Sequence, residues 1–206
     1  MWLRIYKSFG KLIARGPEDG PKLMVIPGFV ANDRTTLGLQ RALAAAGYRV
    51  TGWGLGLNKG VKPDTLAKLA EKIEAFGGGG KIILVGWSLG GVFAREVAKL
   101  RPELVEKVVT MGSPFSGDPR SNNVWRLYEW IAGHPVDDPP IKTVLAEKPP
   151  VPTLALWSKK DGIVSVRSTR GLPGESDRQL EIDCSHMGFA VSGRACPAIV
   201  EAIRGF

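Results

Sequence analysis

The pentapeptide Gly86-Trp87-Ser88-Leu89-Gly90 constrains this chain more than any other feature, because of what flanks it. Before it, Lys81-Ile82-Ile83-Leu84-Val85 is a short apolar, β-branched run that reads as a buried strand. After it, residues 91–100 have helical spacing and stop at Pro102. A serine in a Gly-x-Ser-x-Gly turn between strand and helix is the arrangement termed a nucleophile elbow. Such a turn strains the serine backbone and drives flanking side chains into the neighbouring strand and helix. Gly86 and Gly90 have no Cβ and remove those collisions. The Ser88 hydroxyl is then expected above the sheet edge, at the start of a helix whose unpaired N–H groups favour negative charge.

Strand and helix signals alternate along the rest of the chain. Strands are expected at 23–26, 48–53, 81–85, 107–111, 153–157 and 179–183. Helices are expected at 35–46, closed by Gly47, at 64–76, after the elbow, and at 197–203. Repeated strand–helix units predict a parallel sheet with helices on both faces, and ligands at the carboxyl ends of its strands. At 206 residues the chain reads as a single α/β domain. The alternation breaks over residues 112–152, where an amphipathic stretch, residues 124–131, is followed by a Pro-rich return. An excursion of this length inside a compact domain is usually functional.

The net charge of +8 raises a nucleic-acid reading, but the 28 basic residues form no run of five or six like charges. No nucleic-acid-binding motif is present. A solvated basic surface that keeps the protein soluble is the expected reading, ahead of a preference for anionic lipid surfaces or acidic substrates. Weak association with anionic lipid surfaces is a further expectation, centred on Arg4, Lys7, Lys11 and Arg15 among apolar neighbours, although that segment could equally pack on the sheet. There is no apolar run near the roughly 20 residues of a membrane span, and no uninterrupted signal-peptide core. A cytoplasmic location is expected.

A serine nucleophile needs a base, and the chain has 2 histidines. His134 lies in the Pro-rich excursion and reads as a structural or surface residue. His186 follows the sixth strand and should share the edge that carries Ser88. Asp161, after the fifth strand in Ser158-Lys159-Lys160-Asp161-Gly162-Ile163-Val164, is the expected orienting acid. Asp183 ranks second, being too close in sequence to reach the His186 ring easily. Ser88, Asp161 and His186 follow the chain order Ser…Asp…His. An oxyanion hole should use the Leu89 N–H and a donor after the first strand, in Pro27-Gly28-Phe29-Val30, where the spacing favours Phe29 over Val30.

These motifs, with Gly112-Ser113-Pro114 and Ser185-His186-Met187-Gly188-Phe189, make the chain resemble the α/β-hydrolase superfamily, in its small lipase and esterase branch. The resemblance runs from about Pro21 onward. It departs from many lipases in having Pro27-Gly28 where they have His-Gly. The two strands that open larger members have no counterpart. The resemblance implies a three-layer fold on a minimal six-stranded parallel sheet with a short lid, residues 115–150. It also implies a serine ester hydrolase that needs no metal or organic cofactor and takes a small-molecule acyl ester. An acyltransferase or thioesterase would use the same residues, and a non-catalytic binding protein is the remaining alternative. Trp125 and Trp130 are expected to roof an acyl pocket for short- to medium-chain esters, or else to pack the segment onto the sheet. Cys184 and Cys196 could staple the His186 loop or remain reduced.

Overall fold

The computed structural model describes residues 15–117 and 144–206. Six parallel strands form one sheet in the order β2-β1-β3-β4-β5-β6. They are β1 (Lys22–Ile26), β2 (Arg49–Gly52), β3 (Ile82–Trp87), β4 (Val105–Met111), β5 (Thr153–Trp157) and β6 (Arg178–Glu181). The longer helices are α1 (Leu37–Ala45), α2 (Thr65–Gly77), α3 (Leu89–Leu100) and α6 (Cys196–Arg204), with short helices α4 (Val166–Arg170) and α5 (Gly188–Val191) between β5 and α6. All ten of the residues in β3 and β1 that lie between Leu23 and Ile26 or Ile82 and Trp87 are buried, as a strand covered on both faces requires.

Alternation along the strands sorts the core into two layers. Leu23, Val25, Ile83 and Val85 face Leu39 and Leu43 of α1 and Ile199 and Ile203 of α6. Met24, Ile26, Ile82 and Leu84 face Leu69 and Ile73 of α2 and Phe93 and Val97 of α3. The three-layer architecture expected from the motifs is therefore present. The strand order reverses at β1, which has β2 on one side and β3 on the other. At such a switch point the loops after neighbouring strands diverge and leave a crevice at the carboxyl edge. The loop after β1 and the elbow after β3 border that crevice.

Several boundaries differ from expectation. β3 runs through Gly86 to Trp87 and α3 begins at Leu89, so the elbow turn is a single residue, Ser88. β4 begins at Val105, after a 3₁₀ turn at Pro102–Leu104. Among the described residues no helix is long and apolar enough to cross a membrane.

Candidate active site

Ser88 has φ 54° and ψ −124°, a left-handed geometry that is costly for any residue with a Cβ. Close packing explains why the chain accepts it. A Cβ on Gly86 would lie 2.3 Å from the Gly90 carbonyl oxygen, and one on Gly90 would lie 2.3 Å from that of Ile26. The Ser88 N–H donates to the Met111 carbonyl at 2.8 Å, tying the elbow to the end of β4. Ser88 is half-buried at the N-terminus of the 12-residue helix α3. Leu89 is the first residue of that helix, where backbone N–H groups lack intrahelical acceptors.

His186 Nδ1 and Asp161 Oδ2 are 2.7 Å apart, with the Asp161 side chain fully buried and that of His186 7% exposed. The other carboxylate oxygen, Oδ1, accepts the N–H groups of Ile163 and Val164, each at 2.9 Å. Both oxygens are thus committed, and the carboxylate can hold only one orientation toward the ring. With its Nδ1 hydrogen on Asp161, a neutral imidazole keeps a lone pair on Nε2. Ser158 Oγ donates to the Cys184 carbonyl at 2.6 Å, fastening the His186 loop to the end of β5.

Two further contacts connect this pair to the elbow. Trp87 Nε1 donates to the His186 carbonyl at 3.0 Å, and the two rings lie 5.6 Å apart at 44°. Gly112, next to Met111 and at φ 55°, packs tightly against the pair: a Cβ there would sit 3.0 Å from Asp161 Oδ2 and 3.2 Å from His186 Nδ1 and would press on both. The second-ranked acid, Asp183, and Asp177 near it in sequence are engaged elsewhere. Asp183 is 76% exposed and paired with Lys160 at 2.6 Å, while Asp177 holds Lys148 and the Thr153 N–H.

The loop after β1 lies against the elbow, since a Cβ on Gly28 would be 3.1 Å from Ser88 Cβ. Val30 has φ 57° and donates its N–H to the Asn58 carbonyl at 2.8 Å, which commits that donor, and Phe29, the residue before it, is half-buried on the same loop. Trp125, Trp130 and His134, with most of the expected lid, lie outside the described residues. Cys184 and Cys196 are free thiols, so the alternative of a bridge is not realised. Cys184 packs against Gly188, whereas Cys196 lines a separate groove beside Ala42, Val191 and Val200.

Reading the sequence missed Trp87, Gly112 and Asn58. Trp87 occupies the unrestricted position of the elbow motif, so nothing marked it. Gly112 stood in a quoted motif without a role, and its place at a strand's carboxyl end was the available signal. Asn58 lies in a Gly-rich loop after the second strand, Gly54-Leu55-Gly56-Leu57-Asn58-Lys59-Gly60, to which the sequence alone assigned no role.

Comparison with known proteins agrees with this architecture. A polyketide synthase of Burkholderia thailandensis, ThaQ, is 31% identical over 131 residues, which is 52% of this chain and 6% of that protein. The chain thus spans only a small part of that relative's length. The fold is similar to a monoacylglycerol lipase of Paleococcus ferrophilus, with TM-score 0.63, 19% identity and coverage of 93% of this chain and 97% of that one. It is also similar to a thioesterase domain from the curacin biosynthetic pathway, with TM-score 0.62, 14% identity and 94% of each chain covered. The family model described as "alpha/beta hydrolase fold" matches residues 21–136, more than half of the chain. By that match, and by the sheet and elbow described above, the chain belongs to the α/β-hydrolase fold family.

Proposed function

We propose that this protein is a serine ester hydrolase acting on short- to medium-chain acyl esters through an acyl-enzyme. The reading rests chiefly on one observation. A fully buried carboxylate, fixed by two backbone N–H groups, holds a histidine ring at 2.7 Å, and that histidine's carbonyl is hydrogen-bonded to Trp87, the residue before a strained serine at the head of a helix. Ser88 Oγ attacks the ester carbonyl while His186 Nε2 takes its proton, and the imidazolium that forms is held and stabilised by Asp161. The tetrahedral oxyanion is met by the N–H groups of Leu89 and Phe29. His186 then protonates the departing alcohol, and water, deprotonated by the same ring, releases the acid.

Two measurements test this together: hydrolysis of p-nitrophenyl esters across chain lengths, and mass-spectrometric mapping of a fluorophosphonate label. Label on Ser88 with ester turnover is the expected result. Turnover without label on Ser88 would overturn the assignment.

A second reading, thioester hydrolysis, is favoured by the relationship to part of a polyketide synthase and the fold shared with a thioesterase domain. The same residues would serve, with a thiol as leaving group. Rates on N-acetylcysteamine thioesters and matched oxygen esters separate the two.

A further inference from the structure

The turn over residues 27–31 carries the Phe29 N–H and is closed within itself by a hydrogen bond from the Ala31 N–H to the Gly28 carbonyl at 3.2 Å. Val30, a β-branched residue, sits at φ 57° within it. Further hydrogen bonds to the turn come from the loop after β2, on the far side of β1 from the elbow. Asn58, fully buried, makes four hydrogen bonds there. Its backbone carbonyl accepts from the Val30 N–H and its backbone N–H donates to the Ala31 carbonyl, both at 2.8 Å. Its side chain Nδ2 donates to the Pro27 carbonyl at 2.9 Å, and Oδ1 accepts from the Gly60 N–H at 3.1 Å.

The backbone pair would survive any side chain at position 58, but the side-chain pair would not. A donor for one carbonyl and an acceptor for one amide, at this length, is what asparagine supplies. The geometry has a particular consequence for Phe29. The Pro27 carbonyl lies in the peptide plane between residues 27 and 28, and the Val30 N–H lies in the plane between residues 29 and 30. Asn58 fixes both. The plane between them, which carries the Phe29 N–H, is therefore held from each side.

We propose that Asn58 is a positioning residue that orients the Phe29 N–H toward the developing oxyanion; this rests on the serine hydrolase reading above. An oxyanion donor is effective only when set before reaction begins, because realigning it during the reaction costs what the hydrogen bond would gain. The expected signature is loss of transition-state stabilisation with little loss of substrate binding.

The test uses Asn58→Ala and Asn58→Ser in the full chain, with Ile203→Val as a control that loosens the core under α6 away from the loop. Asn58→Ser is the safer fold, since its hydroxyl can still serve the Gly60 N–H but is too short for the Pro27 carbonyl. For either variant kcat on p-nitrophenyl butyrate should fall about 10- to 100-fold with KM within about threefold, and fluorophosphonate labelling of Ser88 should slow by a similar factor. Ile203→Val should lower the melting temperature while leaving both rates near wild type. Labelling and kcat in folded Asn58→Ser within about threefold of wild type would overturn the proposal, as would losses no larger than those of Ile203→Val. A wild-type protein that does not label at Ser88 would instead remove the hydrolase reading itself.

Discussion

Ser88, His186 and Asp161 carry different kinds of constraint, and substitutions at them should differ accordingly. Ser88→Ala removes the attacking atom and relieves a left-handed serine only in part, so the protein should stay folded. Its kcat should fall by about 10⁶, the scale seen when a triad serine is lost from a protease. His186→Ala should be nearly as damaging. Asp161→Asn should cost about 10⁴, because an amide offers its N–H₂ to the ring and selects the wrong tautomer. Steady-state kinetics on a p-nitrophenyl ester check all three, and a benign Asp161→Asn beside a damaging Asp183→Asn would mean the acid is misassigned. Cys184 makes a separate prediction. Burial, with the charges of Asp161 and Asp183 adding to it, pushes its thiol up from 9.0 to about 11. The folded state thus keeps a proton that the unfolded state gives up. The stability this supplies is complete below pH 9 and drains away as the pH rises toward 11. Melting temperature should therefore fall more steeply over that range in wild type than in Cys184→Ala; parallel curves would contradict it.

Helix α3 does more than present Ser88. Arg95, fully buried on it, donates from Nη1 to the Glu175 carbonyl at 3.0 Å and from Nη2 to the carbonyls of Ala146 and Glu147 at 3.2 and 3.0 Å. Its guanidinium lies 4.2 Å over the Phe115 ring. Burial draws its pKa down to about 10, so it remains charged at neutral pH. One side chain thus gathers the chain on both sides of residues 118–143. Arg95→Met keeps much of the volume but leaves buried carbonyls unpaired, at a cost of about 2–4 kcal/mol. For a chain of this size the melting temperature should drop by roughly 5–15 °C. Arg95→Lys should not restore it, because a single ammonium lacks the planar fork. None of this was legible beforehand. Helix spacing marked α3, but a mid-helix arginine reads as a solvent-facing residue until the returning segment is in place. The short helices α4 and α5 were missed for a simpler reason: five and four residues are too few to display a period. By contrast, Lys81-Ile82-Ile83-Leu84-Val85 and the periodic stretch after Gly90 announced their elements from composition alone.

At the scale of the molecule, the six strands and the edge on which the candidate residues meet were legible, since right-handed strand–helix alternation leaves few topologies. The fastening between loops was not, because Asn58, Trp87 and Gly112 act through contacts that only the assembled sheet creates. On the proposed ester-hydrolase reading, residues 115–150 are expected to set the preference among ester lengths. Trp125→Ala or Trp130→Ala should shift the ratio of octanoate to acetate hydrolysis while moving the melting temperature by only a few degrees; an equal loss at all lengths with a large drop in melting temperature would make the segment ordinary core. The contact between Trp87 and His186 joins residues 99 apart in sequence, and it is also a chromophore beside a proton acceptor. An imidazolium quenches indole emission more strongly than a neutral ring does. The fluorescence of the protein should therefore respond to the charge on the neighbouring His186 ring without added reagent, and Trp87→Phe should erase that response.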